Sequence, residues 1–178
     1  AVISTLGKLV THENEQREQA FVLRKIKHSW DDSLCGAVLE MAKAEEMKPW
    51  YLGSLLAELI KRGYSDAIVY AESLLVVSEP SVERTSELRL MAATMLWACA
   101  PGCDWKMLWP NFQADKSFFR EVMLRVAHDA RHMGHSVVQL SDDALADLYL
   151  LLSDVFPHRD ESLESGDEEG AVSPAQSA

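Results

Sequence analysis

W-K-M-L-W-P-N-F-Q-A-D-K-S-F-F-R-E-V-M-L-R-V-A-H, from Trp105 to His128, decides the fold, together with L-A-D-L-Y-L-L-L-S-D-V-F-P-H from Leu145 to His158. In the first run Phe118, Phe119, Val122, Met123, Val126 and Ala127 recur at intervals of three and four residues. In the second, Leu145, Leu148, Tyr149, Leu152, Val155 and Phe156 do the same. That spacing places apolar side chains along one side of an α-helix, and strict alternation, the mark of a half-buried strand, is missing. Asp115 and Ser141 stand where a short polar side chain caps the first turn of each helix. Apolar residues surround the segment from Leu145 to Leu152, which predicts a last helix covered on two sides.

Working back toward Ala1, the same period persists. Val2, Ile3, Leu6, Leu9 and Val10 fit one helical face, with no start signal before them and no initiator Met, so the expectation is a fragment of a longer polypeptide. A charged helix is expected around Glu15 to Lys27. Ser29, Asp31 and Asp32 are capping candidates for a helix carrying Leu34, Ala37, Val38, Met41 and Ala42. Pro49 suits a first helical turn, ahead of Leu52, Leu55, Leu56, Leu59 and Ile60, and Gly63 suits the stop. Ser65 is expected to cap a helix bearing Ala67, Ile68, Ala71, Leu74 and Leu75. After Pro80 a helix from about Val82 to Cys99 presents Leu88, Ala92, Met95, Leu96 and Cys99. Pro101-Gly102 ends it, and Asp104 caps a short turn from Trp105 to Trp109; Gly134 closes the helix begun at Asp115.

Every second helix recurs after roughly 33 to 36 residues, with the last interval somewhat longer, and connections are short. The fold class expected is all-α: stacked antiparallel helical hairpins, a HEAT-like α-solenoid segment, with a compact helical bundle as the alternative. The array occupies residues 1–157. His158 to Ala178 holds six acids against Arg159, a net of −5 within the chain's −11, and its only bulky aliphatic side chains are Leu163 and Val172. Such a composition predicts a disordered acidic tail. Both regions repel phosphate backbones, which disfavours nucleic acid. The basic cluster of Lys8, Arg17, Arg24, Lys25 and Lys27 is interrupted by Glu13, Glu15 and Glu18. No apolar run approaches a membrane span. The odd set Cys35, Cys99 and Cys103 reads as reduced thiols of a cytoplasmic protein.

Chemistry-bearing constellations are few. His128 and His132 share a helical face at i and i+4, the spacing of a zinc pair, with Asp129 beside the first and His135 following. Metalloproteases of that spacing use glutamate at the second position, whose longer reach meets the metal-bound water. The pair also falls in the last helical turn, where imidazoles meet the negative end of the helix dipole. C-terminal capping is therefore the expected role, with no metal and no cofactor. Cys99 and Cys103 form half a metal knuckle with no second pair. Gly7-Lys8 lacks the glycine-rich turn of a P-loop. Trp97, Trp105 and Trp109 cluster around Pro101-Gly102, either as core filling or as a partner-binding hot spot.

The run from Trp109 to Ala127, followed by Leu145 to His158, resembles the C-terminal helical-repeat region of large bacterial NACHT-type NTPases of antiphage defence. G-Y-S-D-A-I-V-Y-A-E-S-L-L, within Ala57 to Cys99, is similar in character to their upstream repeats. The resemblance covers about two-thirds of the chain and consists of packing motifs; the acidic tail departs from it. It implies a ligand-sensing or autoinhibitory solenoid, non-catalytic, contacting a protein partner or other domains of its parent chain. The alternative is a stand-alone adaptor with the acidic tail as a docking arm.

Overall fold

The computed structural model describes residues 2–16, 20–26, 28–76, 83–100, 105–133 and 140–157. The expected tail and the positions of Pro101, Gly102, Cys103, Asp104, Gly134 and His135 lie outside them. Among the described residues the chain is helical and holds no strand. In order, the helices are α1 (Val2–Gln16), α2 (Phe21–Lys25), α3 (Asp32–Ala42), α4 (Pro49–Lys61), α5 (Ser65–Leu75), α6 (Glu83–Cys99), α7 (Trp105–Ala114), α8 (Lys116–Met133) and α9 (Asp142–Val155).

Local signals set most of these limits. Asp31 accepts from the Leu34 amide at 2.7 Å, Asp115 from the Phe118 amide at 2.9 Å and Ser141 from the Ala144 amide at 3.3 Å. Each bond satisfies an amide that has no partner inside its helix. Pro49 opens α4, where its missing N–H costs nothing. Gly63, at φ 72°, closes α4: its amide bonds Ile60 O at 2.8 Å, and the Tyr64 amide bonds Leu59 O at 3.1 Å. This pair of bonds is the Schellman arrangement.

The hairpins α3/α4, α5/α6 and α7/α8 pack internally, and their second helices, α4, α6 and α8, stack in one row. α5 also rests on α4, and α1 lies on α2 and α3. This is the all-α, stacked-hairpin architecture that the spacing predicts. The core sits along the row. Tyr51, Leu52, Leu55, Leu56, Leu59 and Ile60 of α4 are fully buried, and α6 is buried continuously from Met91 to Trp97. Gly53 lets α4 and α6 approach, since a Cβ there would collide with the Met91 sulfur.

Four expectations need correction. The charged helix from Glu15 to Lys27 does not form as one element: α1 ends at Gln16 and α2 begins at Phe21. Ala20, at the start of α2, offers no side-chain acceptor, and Glu13 caps that helix from outside by accepting from the Val22 amide at 3.0 Å. Ser65 is not a cap. Tyr64 closes the Schellman motif of α4, and its carbonyl already accepts from Ala67 N, so α5 begins without a free position. The Trp105–Trp109 turn extends to Ala114 across Pro110. Asn111 contributes there, its side-chain amide donating to Met107 O at 3.0 Å. Finally, among the described residues α9 is covered on one side only: Leu145, Tyr149 and Leu150 are 48%, 68% and 68% exposed. Burial all round is found instead in α4 and in α6 from Met91 to Trp97.

Candidate functional site

Residues at the junction of α6, α7 and α8 form the densest aromatic group. Trp97 of α6 meets Trp105 at 5.5 Å between ring centroids, and Trp105 stacks on Trp109 at 4.9 Å with planes 25° apart. Phe112 lies against Trp97 and Trp105, both at 6.2 Å, and against Phe118 at 6.0 Å and Phe119 at 5.1 Å. The three tryptophans grouped by sequence are therefore brought together, and they divide in burial. Trp97, Phe112 and Phe119 are core; Trp105 and Trp109, one helical turn apart, are half-buried at its margin. The Trp105 indole nitrogen is buried without a hydrogen-bond partner among the described residues.

Arg89 borders the same group. Its guanidinium lies 4.0 Å above the Phe118 ring, donates to Asn111 Oδ1 at 3.2 Å and stands 3.8 Å from the Asp115 carboxylate. Hydrogen bonds from the Ser117 hydroxyl and the Phe118 amide, with Arg89 adding, hold the Asp115 carboxyl below its usual value. A charge over an aromatic face, with a carboxylate at longer range, keeps the α6–α8 junction in register rather than presenting a reactive group.

A second polar cluster joins α1 to α4. Glu13 is buried; one carboxylate oxygen accepts from the Val22 amide and the other from the Tyr51 hydroxyl at 2.6 Å. Burial raises the Tyr51 phenol, and the Glu13 hydrogen bond adds to this. Asn14 donates to Glu46 O at 3.1 Å and accepts from the Lys48 amide at 2.9 Å. In the sequence Glu13 stands out only as a break in the basic cluster. Its signal was position: Leu6, Val10 and Glu13 follow one another on the buried side of α1, and an acid on an apolar stripe must find donors.

His128 is exposed on α8. His132 is in the same helix, but its side chain falls outside the described residues. Among the described residues no group of three or more His, Cys, Asp or Glu is placed to hold a metal. Cys35 and Cys99 are buried thiols, both raised chiefly by burial, which disfavours the nucleophilic thiolate. No described helix is long and apolar enough to cross a membrane.

Comparison with known protein families, with curated proteins and with solved structures finds no match to this chain.

Proposed function

We propose that this chain is a non-catalytic recognition or autoinhibitory helical-repeat segment of a bacterial NACHT-type defence NTPase. The observation that carries the recognition part is an array whose polar clusters serve packing while its margins keep apolar side chains in solvent. Val2, Ile3 and Leu9 on α1 and Leu145, Tyr149 and Leu150 on α9 are among them, as are Val69 on α5, Val76 just after it and Leu124 on α8. Isolated exposed apolar residues are ordinary, but runs of them on the outermost helices suit contact with another protein or domain. The NTPase assignment rests on the resemblance of Trp109 to Ala127 and Leu145 to His158. On this reading nucleotide hydrolysis belongs to another part of a parent protein, and Trp105 and Trp109 are further candidate contacts, with Trp97 supporting them from the core.

Sequencing the source DNA in frame upstream of the Ala1 codon tests the assignment. An open frame running into G-x-x-x-x-G-K-[ST] supports it. A stop codon and a start site just upstream overturn it, leaving the stand-alone adaptor with an acidic docking tail.

A further inference from the structure

We propose that the outward face of α9 docks a basic amphipathic helix of a partner protein. This rests on the recognition reading and adds to it a face and a partner chemistry. α9 turns Ala144 and Leu151 inward and leans Leu148, Leu152, Val155 and Phe156 on the core. On the opposite side Leu145 and Tyr149, one turn apart, form an apolar ridge. Leu150 stands on the other flank, with the small exposed residues Ala146 and Ser153 between. A ridge, a shallow groove and a second ridge are what another helix packs into. α9 offers no unpaired backbone edge, so strand addition has nothing to bond to.

Charge selects the occupant. α9 carries Asp142, Asp143, Asp147 and Asp154, and no lysine or arginine. Asp154 pairs with Lys116 of α8 at 2.5 Å; among the described residues no cation pairs with the other three. An α9-to-α9 contact between two copies of this chain would set these aspartates against one another, and an anionic membrane surface would be repelled by them. A helix with leucine-type anchors and flanking Lys or Arg satisfies both the ridge and the charges.

The probe is a fluorescein-labelled peptide matching the 14 residues of α9 in length, with leucines at i, i+3, i+4 and i+7 and lysines elsewhere. Controls are a scrambled peptide of the same composition and a Leu/Glu counterpart. Anisotropy titration of the full chain is expected to show binding of the Leu/Lys helix alone. L145S/Y149S is expected to weaken it by about tenfold or more, and D143N/D147N to weaken it and flatten its salt dependence. Thermal melting checks the folding of each variant, and L150S replaces L145S/Y149S if that pair fails to fold. Absence of binding, equal binding of the scrambled peptide, or binding indifferent to the α9 substitutions overturns the proposal. So does self-association in sedimentation that L145S/Y149S abolishes, since the occupant is then a second copy. An upstream P-loop frame with an indifferent α9 sinks the face and leaves the recognition reading. Peptide binding at α9 with a start site just before Ala1 keeps the face and sinks the NTPase assignment.

Discussion

Phe112 has no exposed surface and touches four other aromatic rings, whereas Trp109, among the described residues, meets one ring, Trp105, and keeps part of its surface in solvent. Truncating a fully buried phenylalanine costs about 3–5 kcal/mol through lost transfer energy and the cavity left behind. A half-buried ring with one stacked partner contributes less, roughly 1–2 kcal/mol. Phe112→Ala is therefore expected to lower the urea midpoint well below that of Trp109→Ala, and equal losses would mean that Trp109 is core. The sequence groups the tryptophans by proximity and leaves core filling and hot spot both open. Trp97 sits in the core against Phe112, whereas Trp109 stacks on Trp105 at the margin, a tertiary difference that local spacing does not encode.

Asp115 carries a pH dependence at the same scale. Its folded-state carboxyl lies below the ordinary value of 3.8, so the unfolded chain takes up the proton first as pH falls. The stabilisation is complete above the unfolded value and is lost as pH drops through the folded one. Asp115→Asn keeps a capping acceptor but removes this titration, so its stability is expected to decline less between about pH 5 and 2 than that of the parent chain. Parallel acid-denaturation curves for the two proteins would contradict the assignment.

At the scale of the element, Gly53 sets how closely α4 and α6 pack. A methyl group there strikes the Met91 side chain at its sulfur and Cγ, and overpacking of this kind typically costs about 1–3 kcal/mol. The gain in helix propensity from glycine to alanine, about 1 kcal/mol, offsets part of that. Gly53→Ala is expected to lower the melting temperature in the parent chain and to cost less, or stabilise, beside Met91→Ala. Equal effects in both backgrounds, in a double-mutant cycle, would show that the two residues do not meet. The limits of elements were legible where their cause was local, as at Asp31, Pro49, Gly63, Asp115 and Ser141. They were not where the cause was remote. The Glu13 cap on α2 spans nine residues of sequence, and Tyr64 serves the end of one helix and the start of the next.

Across the whole molecule, burial runs along the α4–α6–α8 row and thins toward α1 and α9. Apolar spacing predicted the faces of α4 and α8 well, because each presents its apolar residues to a neighbour in the row. It failed for the two ends for one reason: periodicity identifies an apolar side but cannot say whether anything covers it. Val2, at 75% exposed, and Tyr149, at 68%, lie on sides that look as apolar as the buried ones. On the proposed recognition reading these margins are the candidate contact surfaces, held in position by the interior row. The candidate contacts on α9 were therefore visible in the sequence as residues, but as core.

Amide hydrogen exchange of the intact chain, read by peptide mass spectrometry, tests this account most directly, since protection follows local packing. The account predicts slowest exchange in α4 and α6, intermediate exchange in α8 up to Val126, and fastest exchange among the long helices in α1 and α9. Protection of α9 equal to that of α6 would contradict it, because α9 would then be held as firmly as the interior row.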